Sequence, residues 1–292
     1  MFMLANLING ISLGSVYAII ALGYTMVYGI AKMLNFAHGD VIMVGGYVAF
    51  CSITYLGWPP VLAVLASVVV CTMLGILIEG LAYKPLRNAT SLAVLITAIG
   101  VSYFLQNAAL LIWTSNTKVF PNIFANLPSL KLGGTQVAPV TLITVFANIV
   151  IMIVLTLFTT KTKMGKAMRA VSEDKGAATL MGINVNRTIS VTFAIGSGLA
   201  AIAGVLLCTA YPTLMPTTGA MPGIKAFTAA VFGGIGSIPG AMLGGILLGV
   251  IEIFGKAYIS TQLSDAIVFA VLIIVLLVKP TGLLGHKVNE KV

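Results

Sequence analysis

The chain consists of long apolar stretches separated by short polar connections. Five intervals contain no Asp, Glu, Lys or Arg: Asp40 to Glu79, Arg87 to Lys118, Lys131 to Lys161, Arg187 to Lys225 and Lys225 to Glu252. Because a helix needs about 20 mostly apolar residues to cross a bilayer, each interval can hold at least one crossing. The pattern predicts an all-α, polytopic integral membrane bundle.

We expect eight or nine spans, some of them formed by broken helices. The predicted spans are residues 4–30, 39–56, 61–82, 92–113, 138–158, 189–210, 222–257 with a break, and 261–278. With their connections they use nearly the whole chain, so residues 1–292 are interpreted as a single transmembrane domain without a catalytic or nucleotide-binding domain.

Composition supports this class of protein. Hydrophobic residues make up 59% of the chain and charged residues 8%, whereas soluble domains carry about 25% charged residues. The formal charge of +9 does not indicate nucleic acid binding, because the basic residues lie between apolar segments and not in one cluster. The three cysteines match no C-x-x-C pattern, so no metal site is expected.

Lysine and arginine predict the orientation. They concentrate in the connection at 84–87, in the connection at 159–188 and in the tail beyond residue 278. The opposite connections carry only Lys118, Lys131 and Lys256. By the positive-inside rule the first three regions, and with them the C-terminus, are cytoplasmic. An N-terminus outside then requires an odd number of spans.

A hinge within residues 222–257 would supply the odd number. The sequence Gly236 to Gly240 places Pro239 between glycines, and proline removes a helix hydrogen-bond donor. Gly234, and the spacing of Gly240 and Gly244, predict close helix packing beside this hinge. The alternative is that the first span is misoriented.

The connection at 159–188 is the longest predicted cytoplasmic loop. Its residues 164–181 combine both signs of charge with Ala, Met, Val and Leu at helical spacing. This pattern predicts a short amphipathic helix at the membrane surface.

Asn35, His38 and Asp40 interrupt an otherwise apolar stretch. One interpretation is a discontinuous helix whose polar groups line a transport pathway. The other is a cytoplasmic turn in which Asn35 and Asp40 cap helices. Composition alone leaves both open.

Other polar residues lie at or inside the predicted spans. Glu79 and Glu252 each end an apolar run, where they could line a pathway or pair with Lys84 and Lys256. Polar side chains inside a span, here Gln106 and Asn107, either bind a solute or hold helices together.

Catalytic motifs are missing from the sequence. It contains two histidines, His38 and His286, and no H-E-x-x-H, G-x-S-x-G or phosphate-binding G-x-x-x-x-G-K-[ST] motif. We therefore expect no enzymatic activity and no cofactor in this chain, so that any energy from ATP must come from another subunit.

Three sequence motifs resemble one transporter family. They are Asn35-Phe-Ala-His-Gly-Asp40, Arg169-Ala-Val-Ser-Glu-Asp174 running to Gly182, and the glycine-rich segment from Lys225 to Ala241. Together they resemble the permease of bacterial high-affinity branched-chain amino acid ABC importers, and in particular its shorter, LivH-type permease. Urea and short-amide importers share the same pattern, so the substrate stays open between them.

The resemblance implies a type II ABC importer-like fold in the bacterial inner membrane. It implies a heterodimer with a second permease, two cytoplasmic ATPase subunits that bind ATP and Mg, and a periplasmic binding protein that delivers Leu, Ile or Val. It also places an ATPase-coupling helix at residues 164–182. The residues assigned to this coupling segment are Arg169, Glu173, Asp174, Ala178 and Gly182.

Two other function classes are compatible with an all-helical, glycine-rich membrane protein. A passive channel of the aquaporin type resembles this chain in size but carries two Asn-Pro-Ala motifs, and here only Asn35-Phe-Ala is similar. An ion-coupled carrier would depend on Asp40, Glu79 or Glu252. Loss of uptake on ATP depletion, with ion gradients intact, distinguishes an importer from both.

Overall fold

The computed structural model describes residues 2–87, 89–124, 127–132 and 135–285. The α-helices are α1 (Phe2–Ala31), α2 (His38–Thr54), α3 (Pro60–Ile78), α4 (Ser91–Trp113), α5 (Pro139–Lys161), α6 (Lys163–Glu173), α7 (Lys175–Leu180), α8 (Val185–Ala210), α9 (Ala220–Gly233), α10 (Ile238–Tyr258) and α11 (Ser264–Val278). A π-helical turn, Glu79–Tyr83, and a 3₁₀ turn, Lys84–Leu86, extend α3.

Each predicted span corresponds to a helix or, for residues 222–257, to the pair α9 and α10. Six described helices are long and apolar enough to cross a membrane: α1, α3 with its extension, α4, α5, α8 and α10. Helices α2, α9 and α11 are apolar but shorter, with 17, 14 and 15 residues. The molecule is therefore a helical membrane protein with six candidate spans by length and composition.

Helix α1 lies at the centre of the bundle and packs against α10, α8, α9 and α5. In the most apolar stretch of α1, 89% of the residues are buried, whereas in that of α4 only 17% are buried. A helix that is apolar on all sides is stable only where other helices or lipid surround it. Helices α3, α4 and α5 accordingly form a periphery with exposed apolar faces.

Small residues allow α1 and α10 to approach closely. A Cβ atom built on Gly249 would overlap the backbone of Gly14, and one on Gly245 would overlap Ala18. Inside a bilayer the hydrophobic effect does not drive helices together, and small residues that let their backbones approach closely are a common way to pack them.

Two short antiparallel ribbons modify the expected all-α fold. Strand β1 (Lys118–Val119) pairs with β4 (Thr213–Leu214), and β2 (Leu130–Leu132) pairs with β3 (Thr135–Val137). The β1–β4 pair joins the connection after α4 to the connection after α8. Hydropathy could not predict these ribbons, because they lie in the polar connections.

The break between α9 and α10 lies at residues 234–237, two residues earlier than the expected hinge at 236–240. Gly234 and Gly236 adopt φ values of 108° and 94°, which favour glycine. Pro239 and Gly240 lie in the first turn of α10, where a missing backbone N–H costs nothing. The hydroxyl of Ser237 caps this helix by accepting from the Gly240 amide at 3.2 Å.

The single helix predicted over residues 164–182 is wrong, because two helices meet there. Asp174 adopts an extended conformation between α6 and α7. Its carboxylate accepts hydrogen bonds from the amides of Gly176 at 2.7 Å and Ala177 at 3.0 Å. A carboxylate in this position is a strong helix N-cap, and here it ends one amphipathic helix and begins another.

Candidate functional site

Glu252 is the centre of a buried charged cluster. Its side chain, 1% exposed, accepts from Lys256 at 2.6 Å and from Lys225 of α9 at 2.8 Å. The Tyr17 hydroxyl of α1 donates to its other oxygen at 2.9 Å. Lys225 also pairs with Asp265 of α11 at 2.6 Å. The two cations and two carboxylates join three helices, and the Tyr17 hydroxyl adds the fourth, so the expected pairing with Lys256 is present within a larger network.

A cavity of about 350 Å³ opens beside this cluster. Tyr17, Lys225, Glu252 and Lys256 form its polar wall, and residues such as Leu207 and Met221 form its apolar wall. Charges inside an apolar bundle are retained where each has a partner, and the buried Glu252 and Lys225 each have one.

Glu79, directly after the last residue of α3, forms a second buried cluster. It pairs with Arg87, whose guanidinium also donates to Asn186 of α8. The Ser190 hydroxyl donates to the other Glu79 oxygen at 2.6 Å. The expected partner, Lys84, forms no ion pair with any described residue. The π-helical and 3₁₀ turns carry the chain beyond Lys84, so that Arg87 reaches the carboxylate instead.

The segment Asn35–Asp40 connects α1 to α2, and its polar side chains point to different neighbours. Asn35 accepts from the Tyr83 hydroxyl at 2.9 Å. The N-cap of α2 is Ala37, without a side-chain hydrogen bond, so the interpretation of Asn35 and Asp40 as helix caps is wrong. The Asn35 side chain instead contacts Tyr83 in the extension of α3, and that of Asp40 contacts Gln106 of α4.

His38 is buried inside the bundle and lines none of the described cavities. Its ring lies 4.6 Å from that of Tyr24, centroid to centroid, and a Cβ atom on Gly23 would meet its Nε2 at 2.6 Å. The Nε2 atom has no protein partner among the described residues. A pathway role for His38 stays a prediction.

Asp40 and Gln106 meet at a groove of about 300 Å³ between α2, α4 and α9. The Gln106 amide donates to Asp40 at 2.9 Å and to the Ser102 hydroxyl at 3.3 Å. Phe36, Ile99 and Ile224 supply apolar walls. Asn107 is exposed and donates to the Tyr103 carbonyl at 2.8 Å, so the adjacent polar residues of α4 face different surroundings.

The segment of α6 and α7 has one face packed against the bundle and one face free. Met168, Val171 and Ala178 are buried, whereas Leu180 and Met181 are 90% and 82% exposed. Gly182 ends the segment with a φ of 80°, which favours glycine. The exposed residues form an apolar tip.

The charged residues of α6 and α7 differ in their contacts and exposure. Arg169 donates to the Thr160 carbonyl at 3.3 Å, and Glu173 is exposed. Lys175 is partly buried and donates to the Ala31 carbonyl at the end of α1 at 3.1 Å. Burial, and then the nearby Arg87 and Lys32 cations, lower the pKa of Lys175 below its ordinary value. Among the described residues, no group of His, Cys, Asp and Glu is placed to hold a metal ion.

The fold and these clusters define a multi-pass helical membrane protein with paired charges inside the bundle and an amphipathic segment outside it. Residues 6–276 match the sequence model described as the branched-chain amino acid transport system / permease component. The chain belongs to this family and is a multi-pass inner membrane component of a transport system, which works with partner subunits.

Related proteins cover most or all of the chain. The high-affinity branched-chain amino acid transport system permease protein BraD of Pseudomonas aeruginosa is 46% identical over 99% of this chain and 98% of its own. The corresponding LivH of Escherichia coli K12 is 47% identical over 100% and 98%. The autoinducer 2 import system permease protein LsrD of Salmonella paratyphi B is 27% identical over 88% and 80%.

A solved structure shares the fold. A chain of PsaBC from Streptococcus pneumoniae, determined in complex with Fab, aligns with a TM-score of 0.50 at 15% identity. The alignment covers 94% of this chain and 91% of that chain.

Proposed function

We propose that the chain is the transmembrane subunit of an ATP-driven importer that moves leucine, isoleucine and valine into the cytoplasm. The match of residues 6–276 to the branched-chain amino acid permease family carries this proposal. The relatives named for branched-chain amino acid transport are 46% and 47% identical, whereas the autoinducer 2 relative is 27% identical. This difference favours an aliphatic amino acid as substrate.

In this proposal ATP and Mg are bound by two cytoplasmic ATPase subunits, because the sequence contains no phosphate-binding loop. A second, homologous permease supplies the other half of the pathway, and a periplasmic binding protein delivers the amino acid. The whole chain then acts as one permease domain of the type II importer class and carries out no reaction itself.

The proposed topology has nine helical passes, with the N-terminus outside and the C-terminus in the cytoplasm. Counting α9 and α10 separately, on either side of the break at 234–237, gives the odd number. The β1–β4 pair supports it by joining the connections after α4 and α8 on one side. The contact between Arg87 and Asn186 joins the turn after α3 to the start of α8 on the other side.

Helices α6 and α7 are the proposed coupling element. A rigid segment must transmit the closure of the ATPases, and an exposed apolar tip is suited to a groove in a partner. Leu180 and Met181 form such a tip, while the buried Ala178 and the capping Asp174 fix α7 to the rest of the molecule. Arg169, Glu173 and Gly182 complete the proposed contact.

The groove between α2, α4 and α9 is the proposed contribution of this chain to the pathway. Asp40 and Gln106 offer polar groups beside Ile99 and Ile224, a combination suited to an amino acid with an aliphatic side chain. Glu79 and Glu252 have a structural role here, because their ion pairs hold helices together at the two ends of the bundle. Asn35 fixes the α1–α2 connection beside the groove through the Tyr83 hydroxyl, and His38 and Asn107 remain pathway-lining candidates.

A transport competition experiment tests the proposed substrate. The chain is reconstituted with its partner permease, ATPases and binding protein, and uptake of labelled leucine is measured. We expect unlabelled isoleucine and valine to compete, and urea and acetamide to have no effect at the same concentration. Competition by urea but not by valine would contradict the assignment.

A further inference from the structure

A pocket of about 260 Å³ lies where the end of α1, the turn after α3, the start of α4 and the start of α7 meet. We call it the basic pocket. Three cationic side chains contribute to its wall: Lys32, Arg87 and Lys175. They come from three different parts of the chain, so folding brings like charges together at a cost that must be offset.

The positive charge of the basic pocket is only partly neutralised within the chain. Arg87 pairs with Glu79. Lys175 donates to the Ala31 carbonyl, and neither Lys175 nor Lys32 forms an ion pair in the described part of the molecule. The lowered pKa of Lys175 has burial as its largest cause, followed by Arg87 and Lys32. A bound anion would offset both the burial of the Lys175 charge and its repulsion by Arg87 and Lys32.

The start of α4 adds hydrogen-bond donors to the same pocket. Ser91, the first residue of this 23-residue helix, lines it. Thr90 caps the helix by accepting from the Ala93 amide at 3.4 Å, which leaves the amides of Ser91 and Leu92 without a helical acceptor. The N-terminus of a helix carries partial positive charge and favours an anion such as a phosphate.

Elements at and beside the basic pocket also carry exposed apolar side chains. Leu81, in the π-helical turn, is 73% exposed, and Leu92, in the first turn of α4, is 64% exposed. The two elements are in contact. A ligand with a phosphate in the pocket and hydrocarbon chains over these leucines would match both the charged and the apolar surface.

We propose that the basic pocket binds the phosphate of an anionic phospholipid from the cytoplasmic leaflet, with the acyl chains lying over Leu81 and Leu92. The proposal rests on the topology proposed above, which places the turn after α3 at the cytoplasmic interface. Basic pockets between helices at this interface are suited to such headgroups. The bound lipid would hold α7 against the end of α1 through Lys175.

Native mass spectrometry of the full chain, purified in detergent with the subunits that copurify, tests this site. Phosphatidylglycerol or phosphatidylcholine is titrated, and the fraction that keeps a bound lipid is counted. The variants are Lys32→Gln, Lys175→Gln and their combination. The matched control is Lys163→Gln with Lys166→Gln, which removes the same charge from exposed positions of the neighbouring α6 outside the pocket.

We expect preferential binding of phosphatidylglycerol, weakened about fivefold by each pocket variant and unchanged in the control. Equal weakening in the control would overturn the proposal, because only overall charge would then matter. Stabilisation against heat by inorganic phosphate as strong as that by phosphatidylglycerol would also overturn it, since the site would then bind free anions. Loss of a copurifying subunit in the pocket variants would assign the pocket to a protein partner instead.

The melting temperature of each variant in phosphatidylcholine shows whether it folds as the unmodified chain does. A variant that melts as the unmodified chain does, yet loses phosphatidylglycerol, supports the site. Failure of the topology would appear separately, as labelling of the turn after α3 from outside the cell.

Discussion

At the scale of single residues, the cost of burying charge explains which side chains meet in this bundle. Glu252 lies beside two lysines and a tyrosine hydroxyl, because an unpaired carboxylate inside an apolar bundle would be strongly destabilising. The same reasoning applies to Glu79, which is enclosed by Arg87 and Ser190.

The Glu252 cluster gives a prediction about stability. Glu252→Gln leaves Lys256 without an ion-pair partner and Lys225 with Asp265 alone, and we expect a loss of about 3 kcal/mol. Thermal unfolding of the detergent-purified chain measures it. Lys256→Gln is the control, because that side chain is 34% exposed and Lys225 still neutralises Glu252, so about 1 kcal/mol or less is expected. Equal losses in both variants would contradict the account.

The sequence could predict only the local part of these clusters. Lys256 follows Glu252 by one helical turn, so their pairing is visible in the spacing. Lys225 lies 27 residues away and reaches Glu252 only because α9 folds back along α10. Its position inside an otherwise apolar run was a signal, because a buried lysine needs a partner, but no spacing rule identifies that partner.

At the scale of elements, hydropathy predicted the helices well because lipid and a buried bundle both select long apolar segments. The ends and breaks of helices follow different rules. Asp174 splits the predicted coupling helix through a side-chain hydrogen bond to the backbone, and such a cap does not alter hydrophobic periodicity. Pro239 does not break α10, because it lies in the first turn, where the N–H that proline lacks has no acceptor within the helix.

The Asp174 cap gives a prediction about coupling. Asp174→Ala removes the acceptor for two amides and should cost α7 about 1 kcal/mol. Within the reconstituted importer we expect ATP hydrolysis to continue while leucine uptake per ATP falls. Asp174→Asn, which retains a capping oxygen, should restore the ratio. Unchanged uptake per ATP in Asp174→Ala would show that the cap has no role in coupling.

The packing of α9 against α10 gives a second prediction at this scale. A Cβ atom on Gly244 would overlap the Ala229 carbonyl, so Gly244→Leu should cost about 3 kcal/mol by overpacking. Fluorescence-detected gel filtration of the solubilised protein measures the folded fraction. Gly100→Leu is the matched control, because a Cβ atom on Gly100 of α4 meets nothing within 4 Å. A similar folded fraction for both variants would argue against close packing at Gly244.

At the scale of the whole molecule, the proposed topology predicts which positions reagents can reach. Lys118→Cys should react with a membrane-impermeant maleimide added to intact cells, and Lys166→Cys only after the cells are opened. Both are compared in a background with Cys51→Ser, since Cys51 is the one native cysteine that is partly exposed. Labelling of Lys166→Cys in intact cells would contradict the orientation.

In the proposed function, this chain forms the pathway of an ATP-driven branched-chain amino acid importer. Its most direct test uses proteoliposomes that contain the chain with its partner permease and ATPases, with ATP inside, binding protein outside and labelled leucine as substrate. We expect uptake that requires ATP and persists when ionophores collapse all ion gradients. Uptake without ATP, or uptake abolished by the ionophores while ATP remains, would contradict it and indicate a channel or an ion-coupled carrier.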